Sequence, residues 1–190
     1  MAAQVSYWGL DQGHAANWSD LQKGASQLAK MPLWINTRAN TLARITAATY
    51  RWHAGNPGGI VFVDYLGLID MPGSERHDLR VGAVTRSLKM LALELNLPVV
   101  LLSQLNRGSA KEQRAPRLSD LRDSGSIEQD ADVVLFPTRE EEADETGVMR
   151  PVRGDSTAEI IVAKNRGGPT GSVPAQWHAK TMRFTDREGV

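Results

Sequence analysis

Apolar positions in this chain switch between helical and strand-like spacing, and each switch predicts an element. Asn17 or Ser19 caps a helix to about Met31, with Leu21, Ala25, Leu28 and Ala29 on one face. The apolar triplet Leu33-Trp34-Ile35 reads as a short strand. Thr41 caps a second helix, which carries Leu42, Ile45, Ala48, Thr49 and Trp52 at helical spacing and stops at the breaker cluster Gly55-Asn56-Pro57-Gly58-Gly59. Ile60-Val61-Phe62-Val63 is a continuous, β-branched-rich apolar run, which predicts a strand buried on both faces in a parallel sheet. It ends at Asp64. From Leu79 to Leu95 the stripe Val81, Val84, Leu88, Leu91, Ala92 and Leu95 predicts a docked helix, and Pro98 to Leu102 repeats the buried-strand pattern. Strand, helix and strand make a βαβ unit, whose ligands belong at the C-terminal ends of the strands, where Asp64 and Ser103-Gln104 stand. A third apolar run, Val133 to Phe136, precedes the acidic stretch Glu140 to Glu145, expected as a solvated loop. Ala158 to Ala163 then alternates before a Gly/Pro turn, which predicts a C-terminal β-hairpin. The fold class is α/β.

Composition narrows the picture by exclusion. At 190 residues, 41% apolar and 23% charged, the chain has the size and usage of one ordinary globular domain. No apolar run approaches the roughly 20 residues of a membrane span, and Met1 to Gln12 shows no signal peptide, so a cytoplasmic location with no membrane partner is expected. Cysteine is absent and the four histidines are scattered, which leaves no disulfide and no zinc spacing. With 22 basic against 22 acidic residues, any nucleic-acid contact must come from locally clustered cations.

Three constellations carry candidate chemistry. Asp64, closing a buried strand, has the Walker B arrangement, in which a carboxylate beside nucleotide phosphates helps hold Mg²⁺; the alternative is a cap on the next turn. Gln104, at the neighbouring strand end, could sense a γ-phosphate or satisfy loop backbone. Between Leu105 and Leu121, the cations Arg107, Lys111, Arg114 and Arg117 stand against Glu112 and Asp120, in either a phosphate-tracking loop or a solvated one, with no aromatic residue for base stacking. Lys164 and Arg166, before Gly167-Gly168-Pro169, are either cations offered in trans to a neighbouring subunit's phosphates or guards of an edge strand.

The string from Asp120 through Leu121-Arg122-Asp123-Ser124-Gly125-Ser126-Ile127-Glu128-Gln129-Asp130-Ala131 to Asp132 closely resembles the segment that marks DnaB-type replicative helicases. Val63-Asp64-Tyr65-Leu66, Leu88 to Ala92, Pro98 to Arg107 and Lys164 to Pro169 follow the same family's order. The resemblance runs from about Asn17 to Phe184 and is weakest across 138–157, the acidic loop. It implies a RecA-like parallel-sheet core with flanking helices and a C-terminal β-hairpin, lacking its first, phosphate-loop strand, with 1–190 as a single partial domain. By the same resemblance Asp64 is the Walker B carboxylate acting on Mg²⁺ through the nucleotide, Gln104 the γ-phosphate sensor, and Lys164 with Arg166 the basic fingers. Arg122, Asp123 and Gly125 would touch the single-stranded DNA backbone, and the loops bearing Arg80, Arg107 and Arg117 would line the channel. The implied whole is an ATP- and Mg²⁺-dependent hexameric ring working with primase and a loader.

Departures from the family pattern matter equally. Gly67 stands where the family usually has Gln, Asp123 where it has Glu, and no G-x-x-x-x-G-K-[ST] occurs in the sequence. The strand bearing the water-activating Glu is missing too. Two readings follow: part of a working helicase, with this chain inactive alone, or a degenerate, non-hydrolysing protein that joins helicase rings or binds DNA. A recombinase-like or clock-protein-like relative is disfavoured by the Arg122 to Asp132 string. Without its first strand, the sheet is expected to expose an apolar edge at Pro98 to Leu102.

Overall fold

The computed structural model describes residues 18–70, 77–106, 114–121, 124–146 and 149–187. The chain divides into two compact units, one of residues 36–134 with 163–169 and one of the remainder.

The first unit holds the βαβ element. Helix α2 (Leu42–Gly55) follows α1 (Trp18–Leu28), and Thr41 caps α2 by accepting from Arg44 N at 3.3 Å. Its buried face is Ile45, Ala48 and Thr49. Strand β1 (Val61–Val63) pairs in parallel with β2 (Val99–Leu101) in the register Val61 to Val99 and Val63 to Leu101. Between them runs α3 (His77–Leu95), which packs against α2, β2 and α4 (Ser124–Asp130) and buries Val81, Val84, Leu88 and Leu91. Four of the six positions in the predicted stripe are therefore core, while Ala92 and Leu95 are half-buried. Gly82 lets α4 approach: a Cβ there would stand 2.7 Å from Ser126 Oγ.

One expectation fails on the sheet. Val63 is buried, but Phe62 is 66% and its partner Val100 40% exposed, so the strands are covered on one face only. Strand periodicity puts Ile60 and Leu102 with them, and both are exposed too. A continuous apolar run marks strands meant for cover on both sides; among the described residues only the Val63 face has it.

In the second unit α1 buries none of its residues. The triplet Leu33-Trp34-Ile35 is irregular and exposed, not a strand: Leu33 N donates locally, to Met31 O at 2.7 Å, and among the described residues the triplet joins no strand ladder. The main sheet is built from β3 (Val133–Arg139), β6 (Ser156–Asn165), β7 (Gly171–His178) and β8 (Arg183–Asp186) in the order β3-β6-β7-β8, with β3 and β6 each running on into the first unit. The expected hairpin is the antiparallel pair β6–β7, and β8 extends it to a third strand. Trp177 and Phe184, opposed across β7 and β8, bring their rings to 4.8 Å, and the Arg139 guanidinium lies 4.4 Å from the Trp177 ring. The acidic stretch is exposed as expected, yet it is paired: β4 (Glu141–Ala143) and β5 (Met149–Pro151) form a small hairpin in which Glu142 faces Arg150. Among the described residues no helix is long and apolar enough to cross a membrane.

Candidate active site

Backbone pairing carries the parallel ladder past the ends of β1 and β2: Leu102 N donates to Val63 O at 3.0 Å and Leu66 N to Leu102 O at 2.9 Å. Asp64 and Ser103-Gln104 thus emerge at the C-terminal ends of adjacent strands, the place where open α/β sheets bind ligands. Asp64 and Gln104 are exposed, and neither side chain has a hydrogen-bond or ion-pair partner among the described residues. Of the two readings of Asp64, the local cap has no bond to support it among the described residues. The 3-10 turn Leu66–Leu68 that follows has no side-chain cap, so Asp64 is not used to hold it. Gln104 likewise does not satisfy the loop; the pairing there is by backbone, Leu105 bridging Leu121 and Asn106 N donating to Asp120 O at 2.8 Å.

The donor set suits a nucleotide-borne cation better than a protein cage. Among the described residues no group of three or more His, Asp or Glu could hold a metal ion. Mg²⁺ usually needs only one or two carboxylates when phosphates and water complete its octahedron. One unpaired carboxylate beside one neutral amide fits that use.

The basic loop resolves unevenly. Arg107, Arg122 and Asp123 lie outside the described residues. Arg114 turns inward: its guanidinium forks onto Asp120, NH1 to Oδ2 at 2.6 Å and NH2 to Oδ1 at 2.8 Å. Arg117 N donates to Asp120 Oδ2 at 2.8 Å. The Arg114 guanidinium first, and the Arg117 N–H second, hold the Asp120 carboxyl down to about 2. Arg114 is therefore the buckle of this turn, while Arg117 keeps an exposed side chain. Gly125, in the first turn of α4, is exposed with open space around its Cα. Arg80 is half-buried in the first turns of α3.

Lys164 and Arg166 do not stand at Asp64. Both dock on the C-terminal end of α4. Lys164 Nζ donates to Glu128 O, and Arg166 NH2 to Gln129 O at 2.7 Å. Arg166 also reaches Asp132, through NH1 to Oδ1 at 3.4 Å and through its backbone N to Asp132 O at 2.9 Å. The other oxygen of Asp132 accepts from Lys89 Nζ on α3. The Lys89 hydrogen bond, with the charges of Lys89, Arg166 and Lys164, holds the Asp132 carboxyl below the ordinary carboxylate range. Asn165 fixes the tip between the two cations, its Oδ1 accepting from Gly167 N at 3.1 Å and its Nδ2 donating to Pro169 O at 3.2 Å. Sequence reasoning assigned nothing to Lys89, Asp132 or Asn165. The available signal was an Asn before Gly-Gly-Pro, a turn-forming residue; for the Lys89–Asp132 pair no sequence spacing exists to read.

Comparison with known proteins gives the family and the fold. Residues 1–186 match the family of the DnaB-like helicase C terminal domain. The chain is 37% identical over 207 residues to the replicative DNA helicase DnaB of Rickettsia felis, and 38% identical over 172 residues to that of Treponema pallidum. These alignments cover 99% and 89% of this chain but 42% and 36% of the relatives, so the chain spans less than half their length. A solved DnaB-like replicative helicase, described with its interactions with primase, superposes with a TM-score of 0.76 at 30% identity, over 92% of this chain and 42% of that one. A second solved structure, described as an ATPase domain, superposes with a TM-score of 0.81 at 29% identity, over 97% of this chain and 66% of that one. The α/β fold is that of these RecA-like ATPase domains, and the chain belongs to the family of DnaB-like helicase C-terminal domains.

Proposed function

We propose that this chain serves as the C-terminal part of an ATP-dependent replicative DNA helicase, a cytoplasmic hexameric ring that translocates on single-stranded DNA and unwinds the duplex at the fork. The observation that carries the proposal is the unpaired Asp64 carboxylate beside Gln104 at adjacent parallel-strand ends, in a chain of this family. When bound, ATP with Mg²⁺ supplies the phosphoryl transfer that drives movement. Asp64 fits a hydrated cation, and Gln104 has an amide free to donate to, or accept from, the terminal phosphate and attacking water. Lys164 and Arg166 neutralise charge on phosphate held by a neighbouring subunit. Arg122, Asp123 and Gly125 hold the DNA backbone, with Arg80, Arg107 and Arg117 lining the channel; Arg114, committed to Asp120, takes no part. A primase and a loader are the proposed partners.

The sequence contains no phosphate-binding loop, whose backbone N–H groups and Lys hold the β and γ phosphates. The chain by itself is therefore expected to hydrolyse no ATP above a mock purification. A rate that Asp64→Ala abolishes would overturn this. In the complete ring, Asp64→Ala should lower ATP turnover by more than about a hundredfold and stop forked-DNA unwinding, which should otherwise run 5′ to 3′ along the encircled strand. Full unwinding by that variant would remove the Walker B reading of Asp64; a complete ring that neither turns over ATP nor unwinds would favour a non-hydrolysing ring partner.

A further inference from the structure

We infer that Asp132 is a positioning residue for the basic fingers, which, together with Gln129 O at the end of α4, holds Arg166 oriented for a neighbouring subunit's phosphate, while Glu128 O seats Lys164 beside it. The inference rests on the finger reading of those two cations proposed above.

The final carbonyls of a helix lack partners within it and carry the negative end of its dipole. Here two such carbonyls, Glu128 O and Gln129 O, are satisfied by Lys164 and Arg166. Docking does not exhaust the cations. A guanidinium has five donors and an ammonium three, and the hydrogen bonds to α4 and Asp132 use two of the first and one of the second. Arg166 keeps a side chain 55% exposed, so its remaining donors can meet a phosphate without leaving the seat. A cation already held in one rotamer loses less freedom on meeting transition-state charge than one searching from a turn.

Lys89 completes the device. A bare carboxylate beside the fingers would repel arriving phosphate. Three cations, Lys89, Lys164 and Arg166, share the charge of Asp132, so it orients Arg166 while the local field stays positive. Lys89 sits on α3 with a side chain 26% exposed, which ties the seat to the best-buried helix of the unit. Cations that served only to keep an edge strand from pairing would need none of these bonds.

The test is steady-state ATP turnover by the complete, ring-forming helicase. Asp132→Asn, isosteric but uncharged, should lower kcat about five- to tenfold with KM for ATP within about twofold, because the fingers act on charge that builds in the transition state. Asp132→Glu should recover at least half of the loss. Joined to Arg166→Ala, Asp132→Asn should add nothing, since it acts through Arg166. Should Asp132→Asn rings fail to assemble, Lys89→Met, which leaves the charge of Asp132 to Arg166 and Lys164 and unties the seat from α3, is read the same way and should also lower kcat. Unchanged kcat in the assembled variant, or losses that multiply in the double variant, would overturn the inference. If Arg166→Ala itself turns over ATP at the wild-type rate, the finger reading is what has failed, and the inference goes with it.

Discussion

Asp120 shows how a single buried partner reassigns a charge. Counted along the sequence, Arg114 is one more cation in a loop suited to tracking phosphates; in the structure Asp120 claims both ends of its guanidinium. Six positions separate them, a spacing with no regular meaning in an irregular loop, which is why composition could not sort Arg114 from Arg117. Asp64 and Gln104 were legible because a strand end fixes where a residue stands without reference to any partner. Asp132 and Lys89 were not, being 43 positions apart and joined only by the packing of α3 on α4. The Asp120 buckle has a definite pH signature. Its folded pKa, about 2, lies below the ordinary 3.8, so its stabilisation is complete above about pH 4 and is lost as pH falls through 2. Asp120→Asn should lower the melting temperature by a few degrees at pH 7, and the gap to wild type should narrow between pH 4 and 2. A gap that widens on acidification would contradict the assignment.

At the scale of elements, periodicity was informative wherever one face meets a core. The α3 stripe follows it at Val81, Val84, Leu88 and Leu91, and α2 starts at its predicted cap, Thr41. It misled at Leu33-Trp34-Ile35, since apolar character makes a strand possible while a partner ladder makes it real. It also missed β8 and the β4–β5 hairpin, where few side chains are buried and pairing alone defines the strand. Gly82 is an element-scale feature that no pattern revealed. In a helix interior, replacing Gly by Ala ordinarily gains up to about 1 kcal/mol. Here the new methyl would stand 2.7 Å from Ser126 Oγ and 3.2 Å from its Cβ, and such overpacking costs about 1–3 kcal/mol. Gly82→Ala should therefore destabilise the complete protein by about 1 kcal/mol net, read from a denaturant midpoint. Adding Ser126→Gly should restore part of it; no recovery would place the strain elsewhere.

For the whole molecule, the open side of the β1–β2 sheet is the apolar surface from which solution behaviour can be predicted. The expected open edge is there, since among the described strands β2 pairs only with β1, and the structure exposes a face as well, with Ile60, Phe62, Val100 and Leu102 between 40% and 66% accessible. Contiguous apolar surface of this kind favours association. The isolated chain should bind a hydrophobic dye and sediment as more than a monomer, and Phe62→Thr should reduce both; a monomer that ignores the dye would speak against it. The Leu105–Leu121 bridge has a different consequence, for how such chains can vary. Because it pins both ends of the intervening stretch, Gln104 on one side and α4 on the other keep their places so long as the Arg114–Asp120 buckle is kept. Doubling the length of a flexible loop costs only about 0.6 kcal/mol in closure entropy. Insertions and deletions between Asn106 and Arg114 can thus accumulate with little effect on folding, because the backbone bridge and the buckle lie outside them.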